Sequence, residues 1–159
     1  AKSWKKQTGN AQNHALFLKN TVLPFIQSNY RASSTQKTYI GNSLGGLFGV
    51  TILFTMPDLF NNYIIGSPSV WFNNNAILAL QAHKPKVPTK VYISVGAKET
   101  PRFGEGQNMV EGAKLLAQKI NSVSGDNIEL KSVVIEGASH ATAFPTTAIQ
   151  GLDWVLRVE

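Results

Sequence analysis

The chain has 159 residues, of which 43% are hydrophobic and 15% charged, a composition that excludes intrinsic disorder and predicts one domain over residues 1–159. It contains no cysteine, which excludes disulfide scaffolds, thiolate metal sites and cysteine nucleophiles and is compatible with a cytoplasmic or a periplasmic location. The formal net charge is +6, but the basic residues are scattered, so no nucleic-acid partner is predicted. No apolar run approaches the ~20 residues of a membrane span.

Helix-like and strand-like segments alternate along the chain. Apolar spacing predicts a helix over about residues 13–30, which Pro24 interrupts or restarts. Strands are predicted at 37–41, 63–65, 91–95 and 129–135, and further helices at 46–55, 76–82, 107–122 and 144–158. Continuous apolar strands separated by helices predict an α/β fold, with a parallel sheet covered by helices on both faces. Ligands of such sheets bind at the edge where the strands have their carboxyl ends.

One motif at this edge indicates chemistry. Gly41-Asn42-Ser43-Leu44-Gly45 reads G-x-S-x-G and lies between a predicted strand and a predicted helix. In that context the serine occupies a sharp turn that projects its hydroxyl above the sheet, and we expect Gly41 and Gly45 to let strand and helix approach closely. The Leu44 N–H is then placed to donate to a developing oxyanion. The pattern matches neither a dinucleotide-binding nor a P-loop signature.

A serine nucleophile needs a base, and the base needs an orienting acid. His140 follows the last predicted strand at the same edge and is the predicted base, whereas His83 lies at a basic helix end and is predicted to be a surface residue. Glu99, on the loop after the third strand, is the predicted acid. Glu105 and Glu136 remain alternatives, as does a dyad without a strong acid.

The residues resemble the putative-esterase branch of the α/β-hydrolases, which includes esterase D, feruloyl esterases and ferri-enterobactin esterases. Segments 17–30, 37–48, 65–72 and 96–99 and the loop of Ser139 and His140 carry the resemblance. It implies a partial α/β-hydrolase fold and places the segment around Trp71 near the mouth of the active site, although packing of an aromatic pair explains that residue equally well. We expect Asn42 and Trp71 to contact substrate.

The amino-terminal part departs from the family pattern. Members of this branch usually have several strands before the serine turn, and a loop after one of them supplies a second oxyanion donor. The chain therefore resembles the carboxyl-terminal half of the fold, and strand 37–41 should be an exposed apolar edge. We expect a second copy of the chain, an amino-terminal half, or the segment 1–30 to cover it. Without the second donor, the chain alone should be a poor esterase.

The sequence thus predicts a serine hydrolase that cleaves a small carboxylic ester through an acyl-enzyme, with Ser43, His140 and Glu99 as its triad. This mechanism requires no metal and no organic cofactor. Two alternatives remain open: a non-catalytic or weakly active binding or structural domain, and an acyltransferase that passes the acyl group to an alcohol other than water.

Overall fold

The computed structural model describes residues 9–123 and 125–157, and the chain divides into two units after Ser34. The first unit contains α1 (Ala11–Phe17) and α2 (Leu23–Asn29), joined by one π-helical turn, Leu18–Val22. Pro24 is the second residue of α2, directly after the π-helical turn, and it has no N–H to donate within the helix. Pro24 therefore begins the second part of the predicted helix.

The second unit is built on a four-stranded parallel sheet in the order β1-β2-β3-β4. The strands are β1 (Thr38–Asn42), β2 (Asn62–Gly66), β3 (Thr89–Gly96) and β4 (Ile128–Ile135). The predicted α/β fold with a parallel sheet is confirmed. All four carboxyl ends lie along one edge, because Asn42 pairs with Gly66 in register and Gly96 pairs with Ile135.

Helices cover both faces of this sheet. They are α3 (Leu44–Thr55), α4 (Phe72–Ala79), α5 (Met109–Val123) and α6 (His140–Leu156). Tyr39 and Ile65 approach α3 at Gly49, whereas Ile64 and Tyr92 approach α6 at Gly151. Because successive side chains of a strand point to opposite faces, α3 and α6 lie on opposite sides of β2. No helix within the described residues is long and apolar enough to cross a membrane.

Two helices begin four residues earlier than predicted, whereas the others differ from their predicted bounds by at most two residues. The predicted helix 76–82 begins at Phe72 and ends at Ala79, and it contains a left-handed stretch at residues 73–75, three consecutive asparagines with φ between 51° and 59°. Asparagine tolerates this conformation better than most residues. The predicted helix 144–158 begins four residues early at His140, because the Ser139 N–H donates to Thr142 Oγ1 (2.9 Å) and caps the first turn. Val158 lies outside the described residues.

Strand β1 is an edge of the sheet within the described part of the chain, since it pairs there with β2 alone. Ile40, on this strand, is 40% exposed. A partner that covers this edge, whether a second copy, an amino-terminal half or the segment 1–30, stays a prediction.

Candidate active site

Ser43 occupies the sharp turn between β1 and α3. Its backbone has φ 58° and ψ −118°, a conformation that costs of order 1–3 kcal/mol for a residue with a side chain. The Ser43 N–H donates to the Gly66 carbonyl (2.9 Å) at the end of β2, which helps to hold the turn. Leu44 is the first residue of α3, so its N–H has no acceptor within the helix.

Close backbone packing around this turn requires glycine at two positions. A Cβ on Gly41 would lie 2.5 Å from the Gly45 carbonyl oxygen, and one on Gly46 would lie 2.8 Å from the Gly66 carbonyl oxygen. A Cβ on Gly45 would meet nothing within 4 Å, so the prediction that Gly45 permits close approach is wrong. The Gly45 carbonyl instead accepts a hydrogen bond from the Tyr39 hydroxyl (2.6 Å), and burial raises the pKa of Tyr39 to about 12.

Glu99 lies three residues beyond the end of β3, and its side chain is fully buried. Its Oε1 accepts hydrogen bonds from the Gly96 N–H (2.7 Å) and the Ser67 hydroxyl (2.6 Å). Its Oε2 lies 2.6 Å from Nδ1 of His140, the first residue of α6. The carboxylate therefore has partners on both oxygens, and one of them is the predicted base.

The other two candidate acids are placed differently. Glu105 lines the cavity that contains Ser43 and His140, but no hydrogen bond or ion pair joins it to His140 in the described part of the chain. Glu136 is exposed in the turn after β4 and does not line that cavity. Among the three predicted acids, Glu99 is the one that contacts the His140 ring.

A small cavity of about 140 Å³ brings the predicted nucleophile and base together. It is lined by Ser43, Ser69, Trp71, Glu105, Gly106, Gln107, Met109 and His140. The Ser43 hydroxyl lies 3.2 Å from that of Ser69, and within the described residues it makes no hydrogen bond to His140. No group of three or more potential metal-ligating side chains occurs in the described ranges.

Of the remaining predicted residues, Trp71 lines this cavity, whereas Leu44 and Asn42 do not. Trp71 lines it, is 42% exposed, and also packs edge-on against Phe72 with ring centroids 6.2 Å apart. Both suggested roles for Trp71 are therefore compatible with its position. Leu44 and Asn42 are not among the lining residues, and the buried Asn42 Oδ1 faces Gly66 without a hydrogen-bond partner. Substrate contact by Asn42 stays a prediction.

Sequence reasoning missed two serines. Ser67 and Ser69 follow directly after β2 and are nearly inaccessible to solvent. Ser67 contacts Glu99 and Ser69 contacts Ser43. Their position immediately beyond a buried strand, at the same edge as the G-x-S-x-G turn, was the available signal.

Comparisons with known proteins identify esterases as relatives of this chain. A family model described as "Putative esterase" matches residues 1–146. The ferri-bacillibactin esterase BesA of Bacillus subtilis is 28% identical over 154 residues, which cover 93% of this chain and 52% of the relative. A siderophore enterobactin esterase of Emericella nidulans is 39% identical over 72 residues, which cover 44% of this chain and 24% of the relative.

Solved structures show the same fold. The BES protein of Bacillus cereus superposes with a TM-score of 0.82 at 33% identity, covering 99% of this chain and 60% of that one. The siderophore hydrolase EstB of Aspergillus nidulans superposes with a TM-score of 0.74 at 22% identity, covering 95% and 61% of the two chains. The chain spans about half the length of BesA. The resemblance seen in the sequence is confirmed, and the chain belongs to the putative-esterase family of α/β-hydrolases.

Proposed function

We propose that this chain carries the catalytic centre of a serine esterase, with Ser43 as nucleophile, His140 as base and Glu99 as orienting acid. The observation that supports it most is the contact of His140 Nδ1 with the buried Glu99 carboxylate (2.6 Å), beside a cavity that His140 shares with Ser43. An ionised carboxylate accepts hydrogen bonds only, so it fixes the imidazole proton on Nδ1. The other ring nitrogen, Nε2, is then free to accept a proton.

The reaction proceeds in two stages, acylation of Ser43 and deacylation. Ser43 directs its hydroxyl hydrogen at Nε2 of His140, gives up that proton, and attacks the ester carbonyl carbon. The carbonyl oxygen becomes an oxyanion that accepts a hydrogen bond from the Leu44 N–H. Its collapse breaks the ester bond, the alcohol leaves with the proton held by His140, and the acyl group stays on Ser43.

Deacylation repeats these steps with water. His140 takes a proton from water, the resulting hydroxide attacks the acyl carbonyl, and collapse releases the acid while the proton returns to Ser43. Glu99 stabilises the imidazolium in both stages, and its buried position makes that interaction stronger than it would be in solvent.

Siderophore esters are the substrate class that the relatives suggest, because three of them are named for esterase activity on ferri-bacillibactin, enterobactin or triacetylfusarinine C. We propose an ester of this class as substrate, so that enterobactin should be cleaved with a higher kcat/KM than p-nitrophenyl acetate. Equal or lower kcat/KM for enterobactin would contradict the substrate class and leave the esterase proposal intact.

The direct test compares the wild-type chain with Ser43→Ala. A fluorophosphonate probe should label Ser43 in the wild type and should not label the variant, and hydrolysis of p-nitrophenyl acetate should fall to background in the variant. Full activity of Ser43→Ala, or an unlabelled wild type, would overturn the proposal and favour a non-catalytic domain. Acyl transfer to an added alcohol in preference to water would identify an acyltransferase.

A further inference from the structure

Ser67 is fully buried and holds the acid. Its hydroxyl donates to Glu99 Oε1 (2.6 Å), and its backbone N–H donates to the Ser94 carbonyl (2.7 Å) on β3. Ser67 has φ 40°, in the left-handed region that residues with side chains rarely adopt. The backbone is thus held in an uncommon conformation that directs a hydroxyl at a buried carboxylate.

Ser69 is 1% exposed and holds the nucleophile. Its hydroxyl oxygen lies 3.2 Å from Ser43 Oγ, and its backbone N–H donates to the Ser43 carbonyl (3.1 Å). Ser69 also lines the cavity that contains Ser43 and His140. Ser43 Oγ is the hydrogen-bond partner of this hydroxyl within the described residues.

Pro68 fixes the spacing between these two serines. The proline ring restricts its φ to about −65°, which leaves the turn little freedom. The Pro68 Cα lies 3.2 Å from the position that a Cβ on Gly46 would occupy, so the turn packs closely against the start of α3. The turn also follows β2, which pairs with the strand of the nucleophile on one side and with the strand of the acid on the other.

From these contacts, and on the basis of the proposed function, we infer that Ser67 and Ser69 are positioning residues that set the two ends of the triad from one turn. Ser67 acts through Glu99: its hydroxyl keeps Oε1 occupied and turns Oε2 toward His140. Ser69 acts through Ser43: its hydroxyl is placed to donate to Ser43 Oγ as that oxygen loses its proton, and hydrogen bonds to an anionic oxygen are stronger than neutral ones.

The test measures kcat and KM for Ser67→Ala and Ser69→Ala, with active sites counted by fluorophosphonate labelling so that misfolded protein does not contribute. Each variant should lower kcat about 10-fold, as expected for one lost hydrogen bond, and should leave KM within about twofold. Ser94→Ala is the matched control, because Ser94 is an equally buried serine whose hydroxyl bonds to Thr147 (2.6 Å) instead of the triad. It should lower the unfolding temperature without lowering kcat.

A second measurement separates the two serines. In the Glu99→Ala background, Ser67→Ala should change the rate of Ser43 phosphonylation less than twofold, because the carboxylate that Ser67 contacts is already absent. Ser69→Ala should still lower that rate about 10-fold in the same background, because Ser43, which Ser69 contacts, is still present.

Two results would overturn this inference. One is that both serine variants behave like Ser94→Ala, losing stability but keeping kcat. The other is that Ser67→Ala retains its full effect without Glu99. Either result leaves the proposed function standing as long as Ser43→Ala is inactive, whereas an active Ser43→Ala variant would remove the proposed function itself.

Discussion

Both carboxylate oxygens of Glu99 are engaged, at 2.6–2.7 Å, by His140, Ser67 and Gly96. The Ser43 hydroxyl, in contrast, has one hydrogen-bond contact among the described residues, at 3.2 Å to Ser69. We call the first region, the proposed acid and base Glu99 and His140, the acid–base half, and the second, the proposed nucleophile Ser43 with Leu44, the nucleophile half. Glu99 follows β3, which lies between two neighbours, whereas Ser43 follows β1, which pairs with β2 alone among the described strands. His140 follows β4, which also has one neighbour among them.

We infer from the difference between Glu99 and Ser43 that a strand with two neighbours offers more contacts to the residues after it than a strand with one. Neighbours on both sides of β3 supply donors to Glu99 from two directions. The backbone of Ser43 bonds to a single neighbouring strand, since its N–H and carbonyl contact residues at the end of β2 or just after it, and its carbonyl also accepts from the Leu47 N–H within α3. The acid–base half should therefore tolerate changes at β1, and the nucleophile half should not.

The largest expected effect is in the acid–base half. In Glu99→Gln the side-chain oxygen would keep the donors Gly96 and Ser67, and the amide nitrogen would face His140 Nδ1. A donor at that position stabilises the wrong imidazole tautomer, so we expect kcat to fall by about 10⁴-fold. Steady-state hydrolysis of p-nitrophenyl acetate checks this value.

Glu105→Gln is the matched control for that experiment. Glu105 lines the same cavity but makes no hydrogen bond or ion pair with His140 in the described part of the chain, so the change should alter kcat less than about threefold. If Glu105→Gln were the more damaging substitution, the assignment of the acid would have to be reversed.

An intermediate effect is expected in the nucleophile half, from two neighbouring glycines. Gly46→Ala would press a methyl group against the Gly66 carbonyl and should lower the free energy of unfolding by between about 1 and 3 kcal/mol. Gly45→Ala meets open space within the same helix and should raise the free energy by about 0.5–1 kcal/mol. Urea unfolding of both variants gives these values, and equal destabilisation by the two alanines would disprove the packing described for the turn.

The smallest effect concerns the Tyr39 hydroxyl, which bonds to the Gly45 carbonyl. Tyr39→Phe should lower the free energy of unfolding at pH 8 by about 1 kcal/mol. Burial raises the pKa of Tyr39 from 10 to about 12, so the folded state retains this proton longer than the unfolded state. The contribution is complete below pH 10 and declines as the pH rises toward 12.

The difference in free energy of unfolding between the wild type and Tyr39→Phe should therefore shrink between pH 10 and 12. Urea unfolding at several pH values can measure it. Alkaline destabilisation should persist in part, because burial also raises the pKa of Tyr63 and Tyr92. Tyr30→Phe, at an exposed position in the first unit, should leave the stability at pH 8 unchanged. A Tyr39→Phe deficit that stays constant to pH 12 would contradict the role assigned to the buried phenol.

The sequence was sufficient for the sheet and for the order of its elements, because buried strands and amphipathic helices have distinct periodicities. The G-x-S-x-G pattern also predicted the turn at Ser43, since a strand that reverses directly into a helix leaves few alternatives for the residue between them. Glu99 was less certain, because Glu105 lies only six residues further along the same loop and spacing alone does not reveal which carboxylate turns inward.

Other features depend on contacts that span the chain. The role of Gly46 comes from a carbonyl 20 residues away on β2, which no local pattern contains. Ser67 and Ser69 are short polar residues after a strand, and most such residues simply terminate it. The start of α6 at His140 depends instead on a local hydrogen bond from the Ser139 N–H to Thr142 Oγ1, whereas Pro145, a residue typical of a first helical turn, favours a later start.

The position of β1 at an edge of the described sheet also affects how the protein would lose activity on heating. Within the described chain β1 and β4 each have one neighbouring strand, but β1 pairs over five residues and β4 over eight, so local opening of this chain should begin at β1. Such opening would carry Ser43 away from His140 while β2, β3 and β4 stay paired. Thermal inactivation would then precede the loss of circular dichroism, and cooling would restore the enzyme as long as the detached segment had not paired with another molecule.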